Sequence, residues 1–244
     1  MILRSSYFML RRMLRGYLAL IILLVTPLAL ITVLGMVAGN AMDEQLGVPV
    51  INTIAVTMIL GFQLYGGFYT MEFIREDLIS SKKWRMYSLP YQAHQHAFSI
   101  LLTCIAFSAL QGFTMVLFTQ WFYGVDWGNI GFVLVVLLAL SILSQLVFLN
   151  LVLGVKNYKN AERIGTAYGL VSMALAGVWF PMPDSGVLHF MSTYGNPLSL
   201  GENAVYAFMA GESMNRGALS IVILLVASVV MAIVATLIGR RKLA

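Results

Sequence analysis

The sequence predicts an all-α polytopic membrane protein: six transmembrane helices, an N-terminal interfacial helix, and an outer re-entrant helical hairpin between spans 5 and 6. Three observations predict it. Of 244 residues, 60% are hydrophobic and 10% charged, with mean hydropathy +0.86, which excludes an ordinary soluble globule. Six apolar runs, separated by polar or Pro/Gly-rich breaks, approach the roughly 20 residues needed to cross about 30 Å of hydrocarbon. The basic residues then fall almost entirely on one side. With six spans and the N-terminus inside, Arg4, Arg11, Arg12, Arg15, Arg75, Lys82, Lys83, Arg85, Lys156, Lys159, Arg163, Arg240, Arg241 and Lys242 are cytoplasmic and only Arg216 is outside. That asymmetry follows the positive-inside rule and puts both termini in the cytoplasm.

The chain reads as one transmembrane domain, residues 1–244. In residues 1–16, Leu3, Tyr7, Leu10 and Leu14 share a helical face, with Arg4, Arg11 and Arg15 along a neighbouring one. This is the pattern of a helix lying in the membrane surface, the plainer alternative being a short basic tail. Span 1, residues 17–37, is too long for a signal-peptide core and carries Pro27 mid-span, where a kink is expected. Span 2, residues 50–71, holds a narrow strip of Gly61, Gln63, Gly66 and Gly67 suited to close helix contact. Span 3 covers residues 97–118, with Trp121, Phe122, Tyr123 and Trp127 marking its interface. Span 4, residues 130–154, carries Gln145 and Asn150, amides that need protein or a water-filled cavity beside them. Span 5 covers residues 164–180 and span 6 residues 217–238, which stops sharply at Arg240-Arg241-Lys242. Between them, residues 181–216 contain apolar pieces too short to span and too apolar for a solvated loop, hence the re-entrant hairpin.

The long polar interval is residues 72–96, a loop with seven charged residues between spans that carry none. Held on the cytoplasmic surface, it is placed to receive a soluble partner. Little else suggests chemistry. There is no phosphate-binding Gly-x-x-x-x-Gly-Lys loop, no His-Glu-x-x-His and no Gly-x-Ser-x-Gly. His94, His96 and His189 lack the spacing and the acidic or thiol partners of a metal site, and Cys104 is the single cysteine, expected to pack as a small hydrophobe. The basic residues form no nucleic-acid recognition motif. With neither an energy source nor an intramembrane carboxylate relay, a permease driven by a separate ATPase is favoured over a self-sufficient carrier, although channels and structural membrane proteins lack such groups too.

Two local patterns now bear on the family. Glu72-Phe73-Ile74-Arg75-Glu76-Asp77 leads to Ser88-Leu89-Pro90, and Gly177-Val178-Trp179-Phe180-Pro181 is followed by Tyr194-Gly195-Asn196-Pro197-Leu198. In order and placement they resemble the ABC-2 type transporter permeases over essentially the whole chain. The family often has a glycine after its charged Arg-Glu element, whereas this chain reads Asp77-Leu78-Ile79-Ser80-Ser81, which leaves the helix register of the loop open.

The resemblance implies the membrane subunit of an ABC exporter in the prokaryotic plasma membrane. It implies a homodimer, or a heterodimer with a related permease, in contact with membrane lipids and bound to two ATP-binding subunits. ATP and Mg would be carried by those subunits, and no cofactor or metal by this chain, which is not catalytic by itself. Coupling to the ATPase would fall to Glu72, Arg75, Glu76, Asp77, Lys82, Lys83, Trp84, Arg85 and Met86. Gln63, Tyr65, Trp179 and Phe180 would shape the translocation path or gate, for an amphipathic or hydrophobic cargo such as a drug, peptide or lipid. An ATPase-independent channel or carrier, and a ligand-binding membrane scaffold or immunity protein, are the rival classes; transport by the isolated chain would single out the first.

Overall fold

The computed structural model describes residues 2–43, 46–80, 84, 93–180, 186–209 and 214–242, and the elements among them are helices joined by turns, with no strand. The chain begins with α1 (Ile2–Arg15) and α2 (Tyr17–Ala38). In α1, Met9 and Met13 are buried, and α1 packs chiefly on the helix Ala93–Tyr123, while Tyr7, Phe8 and Leu14 are exposed. A helix with one apolar face on protein and another open suits the membrane surface. Helix α2 contains Pro27 and packs on α3, leaving Ile21, Ile22, Val25, Val33, Met36 and Val37 exposed to lipid or to a partner.

Helices α3 (Val50–Tyr65) and α4 (Gly67–Ile74) are one rod interrupted at Gly66, where the Gly66 N–H donates to Gln63 O and the ladder tightens by one residue. The rod does not stop at residue 71. It continues through a π-helical turn, Arg75–Ile79, so Glu72 to Asp77, expected in a loop, are helical. Apolarity ends where the charges start, but the backbone hydrogen bonds do not, and a helix emerging from a membrane carries its charges on its last turns.

Helix α5 (Ala93–Tyr123) is longer at both ends than residues 97–118, and α6 (Ile130–Gly154) is capped by Asn129, whose side chain accepts from the Phe132 N–H at 3.1 Å. The aromatic cluster between them divides: Trp121 and Phe122 are exposed as interface anchors should be, but Trp127 is 1% exposed and donates its indole N–H to Thr119 Oγ1 at 3.2 Å. Helix α7 (Tyr158–Leu175) is capped by Asn157; α8 (Gly186–Thr193), α9 (Pro197–Met209) and α10 (Met214–Lys242) complete the chain.

Helix α6 lies at the centre, against α3, α4, α5, α7, α9 and α10. Two apolar clusters stack along it. One gathers Met9, Met13, Phe73, Leu78, Ile100, Phe148, Leu153 and Ala235 towards the end that bears the basic residues, here the basic end. The other gathers Ile31, Ile59, Leu60, Trp127, Leu137, Leu198, Val205 and Leu224 towards the hairpin of α8 and α9.

By length and apolarity five stretches can cross a membrane: Ile21–Ala38, Val50–Ile79, Ala93–Tyr123, Ile130–Gly154 and Asn215–Lys242. Helix α7 is not among them. Its 18 residues rise about 27 Å, nearly a hydrocarbon thickness, but its first two turns carry Lys159, Glu162 and Arg163. It also begins before residue 164 and ends at Leu175, so Trp179 and Phe180 fall in the turn that follows, made possible by Gly177 at φ 78°.

Candidate functional site

Among the described residues, the π-helical turn builds the most connected polar site. The Ser80 N–H donates to Arg75 O at 2.8 Å, five residues back, and the Ser80 hydroxyl donates to Glu76 O at 2.6 Å. One extra residue in the turn swings the side chains away from a plain α register, and such turns recur at functional sites. Leu78 goes inward at 6% exposure, Ile79 stays outward, and Glu76 and Asp77 meet neighbouring helices.

Arg12 of α1 clasps both acids. Its Nη1 donates to the two carboxylate oxygens of Asp77 at 2.8 and 3.0 Å, its Nη2 pairs with Glu76, and its guanidinium sits 5.0 Å from the Phe73 ring. Burial of the guanidinium works against its charge, but Asp77 and then Glu76 outweigh it and hold the Arg12 proton more firmly than usual. From the opposite side, His96 at the start of α5 places Nε2 3.0 Å from Asp77 Oδ2. Arg75 turns the other way and lays its guanidinium 3.8 Å from the Tyr158 ring centroid at the head of α7. The end of the α3–α4 rod is thereby tied to α1, α5 and α7 at once.

Of the residues expected to couple to a partner, Glu72 is exposed on α4, Arg75, Glu76 and Asp77 are engaged as above, and Trp84 is 70% exposed. Lys82, Lys83, Arg85 and Met86 lie outside the described residues. Sequence reasoning missed Arg12 and His96. Met9, Arg12 and Met13 lie three and four residues apart, so Arg12 edges the buried face of α1 while Arg11 and Arg15 are exposed, and that spacing was the available signal.

The four residues expected to shape a path are not brought together. Gln63 is 3% exposed, donates to Ser141 Oγ of α6 and lies against Gly112 of α5. It belongs to a ladder of buried polar contacts: Ser144 Oγ donates to Leu64 O at 2.5 Å, Thr70 Oγ1 donates to Gln145 Oε1 at 2.7 Å, and Asn150 Nδ2 donates to Met231 O at 2.9 Å. The amides therefore face protein, as polar groups in a bilayer require. Tyr65 is half-buried, stacked on Phe68, and pressed onto Gly169 of α7, where an added Cβ would overlap the phenol ring. Trp179 and Phe180 are about half exposed, their ring centroids 6.3 Å apart, at the far end of α7. At the near end, Lys159, Glu162, Arg163, Thr166, Ala167 and Leu170 line a shallow cavity of about 470 Å³, polar at one end and apolar at the other.

The hairpin is fixed by Asn196, which donates to Ser172 O at 2.9 Å and to Ser199 Oγ at 2.8 Å and accepts from the Leu198 N–H at 3.2 Å. The Asn-Pro-Leu element thus starts α9 and ties it to the end of α7, with Pro197 at the first helical position. Among the described residues no three His, Cys, Asp or Glu side chains gather as metal ligands would.

None of the curated proteins matches the chain. The family model described as ABC-2 type transporter matches residues 6–210, from α1 through α9. With most of its length matched, over an all-helical architecture with helices long and apolar enough to cross a membrane, the chain belongs to the ABC-2 type transporter family; of the motifs that carried the resemblance, Ser88, Leu89, Pro90 and Pro181 lie outside the described residues.

Proposed function

We propose that the chain, a permease subunit by family, works as the membrane subunit of an ATP-driven exporter, paired as a homodimer or heterodimer and docked to two cytoplasmic ATP-binding subunits. The observation that carries this reading is the charged knot at the basic end. Arg12, Glu76, Asp77, His96 and the Arg75–Tyr158 pair join α1, α5 and α7 to the end of the rod that leads into residues 80–92. A push delivered there by a partner reaches three other helices through short polar contacts, which is what coupling to an external motor requires. The basic residues gathered at this end support the proposed orientation, with this end and both termini on the cytoplasmic side of the cell membrane.

Docking falls to residues 72–86: Trp84 and Met86 as apolar anchors, Lys82, Lys83 and Arg85 as complementary charge, Glu72 as an exposed rim residue. ATP with Mg stays on the partners, and the chain itself is non-catalytic. The cargo route runs along the open face of α7. It passes from the cavity at Lys159, Arg163 and Leu170 to the exposed ring pair Trp179 and Phe180, with Tyr65 backing the helix on its buried side at Gly169. A route that is charged at its mouth and apolar beyond suits an amphipathic or hydrophobic cargo. Gln63 acts one step removed, holding α3 to α6 beside that route.

The test is purification in nanodiscs with identification of co-eluting chains and cargo-stimulated ATPase activity. The double variant W84A/R85E is expected to insert normally and lose the ATPase. Retained association in that variant moves docking to another segment, and transport by the chain with no ATPase overturns the proposal.

A further inference from the structure

One acid in the hairpin is used by none of the foregoing. Helix α9, at 13 residues, is too short to span, and it buries Leu198, Leu200, Ala204 and Val205 against the bundle. Glu202 lies among them on that buried face and is 8% exposed. The Thr57 hydroxyl of α3 donates to its Oε1 at 2.5 Å, and the Tyr206 hydroxyl, one turn further along α9, lies 3.4 Å from the same Thr57 oxygen. Beside it, Gly201 sits on Leu60, Val136 and Leu140. The Glu202–Thr57 bond is therefore a polar pin between α9 and α3 in otherwise apolar packing.

A carboxylate in such a place is costly without a cation, and none of the described helices facing it brings one close. Helix α6 carries no titratable residue. Helix α3 carries only Tyr65, at its other end, and α7 offers Tyr168. Arg216 at the head of α10 and His189 on α8 are exposed. On α9 itself the titratable neighbour is Tyr206, which is held neutral by burial, then by Glu202, with Asp43 of the loop before α3 adding to it. These surroundings favour the acid over the carboxylate.

We propose that Glu202 is a proton-binding latch: its neutral carboxyl pins α9 to α3 through Thr57, and departure of the hairpin from α3 is coupled to release of that proton. The latch stands on the chain's own geometry; only the side to which the proton leaves, the outside, rests on the orientation proposed above. Burial raises the acid to about 7 while Thr57 pulls it down somewhat, against 4.5 for an acid in water. The sign follows. The docked hairpin has the higher affinity for the proton, so docking gains its full support below about 4.5 and loses it as pH rises through about 7. Over the whole titration, from well below 4.5 to well above 7, the ratio of docked to undocked hairpin changes roughly 300-fold.

The experiment is hydrogen–deuterium exchange of the full chain in nanodiscs, following the segment 197–209 from pH 5 to 8.5 with correction for intrinsic exchange. Wild type is expected to lose protection by roughly 70-fold across that range, and E202Q, neutral at every pH and still able to accept from Thr57, is expected to stay flat. T57V, which removes the donor that holds the acid down, is expected to shift the midpoint to higher pH, an effect that a merely structural role for Thr57 does not produce. Should E202Q fail to fold, the wild-type profile and the T57V midpoint decide the matter. A wild-type profile without pH dependence, an E202Q profile like wild type, or an unmoved T57V midpoint overturns the latch. Each is read on the chain alone, so none of these failures touches the permease reading.

Discussion

Removing the Arg12 side chain is the sharpest perturbation of the knot. Four contacts go at once: the two bonds to Asp77, the pair with Glu76 and the guanidinium over the Phe73 ring. Their worth differs with exposure. Arg12 and Glu76 have side chains 37% and 38% exposed, so their pair counts as a surface one and contributes about 0.5 kcal/mol. Asp77 is 13% exposed and accepts two bonds from one guanidinium, a geometry that contributes about 1–2 kcal/mol. The sum for Arg12→Ala, about 2 kcal/mol, lowers the melting temperature of the purified chain by roughly 4–8 °C. A double-mutant cycle with Asp77→Asn isolates the pair: the coupling is expected near 1 kcal/mol, against a few tenths for the corresponding cycle with Glu76→Gln. Arg12→Lys keeps the charge but not the fork and falls between wild type and Arg12→Ala. Additive behaviour of R12A and D77N within about 0.3 kcal/mol would refute the claim that these residues join α1 to the rod.

Two further outcomes follow from the packing. Thr70→Val leaves the buried Gln145 oxygen without its donor and is expected to cost about 1–2 kcal/mol in detergent unfolding, whereas T70V/Q145L, with both partners apolar, recovers part of that loss; a double variant weaker than the single one contradicts the assignment. Gly169→Ala drives a methyl into the Tyr65 ring and is expected to cost about 1–3 kcal/mol, a loss that Y65A/G169A relieves; no relief in the pair means that α3 and α7 do not meet there.

Much of this architecture is legible in the sequence because it rests on local patterning. The proline breaks and short apolar pieces announce a hairpin, and the bounds expected for span 4, residues 130–154, are those of α6. Helix ends are less legible, since hydropathy marks where apolar side chains stop and not where backbone hydrogen bonding stops. That is why residues 72–79 read as a loop yet wind on through a π turn. Least legible are the pairings across distance. Nothing in the sequence joins Arg12 to residues 64 and 65 positions away, or Thr57 to an acid 145 positions on. Glu202 in particular looks like one more polar residue of an outer segment until its helix is docked. An acid four residues after Leu198 and three before Val205 lies on their face, and only the packing tells whether that face meets water or leucine.

The two polar sites are ends of one object. Asp77, in the knot, and Thr57, which holds the Glu202 carboxyl, stand twenty residues apart on the α3–α4 rod, roughly 30 Å of helix. A helix is stiff along its axis, so a displacement imposed at the π turn reaches Thr57 unless something between them absorbs or redirects it. Three features lie between. The break at Gly66 is a place where the rod can bend, the Gln63–Ser141 and Ser144–Leu64 bonds fasten the rod to α6 on the hairpin side of that break, and the Thr70–Gln145 bond fastens it to α6 on the basic side. Fastened on both sides of the break to the most buried helix of the bundle, the rod is held against sliding and is free to bend at Gly66. Under the proposed coupling, bending at Gly66 turns a push at the basic end into a swing at Thr57, where the proposed Glu202 latch resists it until the carboxyl gives up its proton. In the proposed cycle, the partner's work at the knot and the proton's departure at the hairpin therefore act on the same lever from opposite ends.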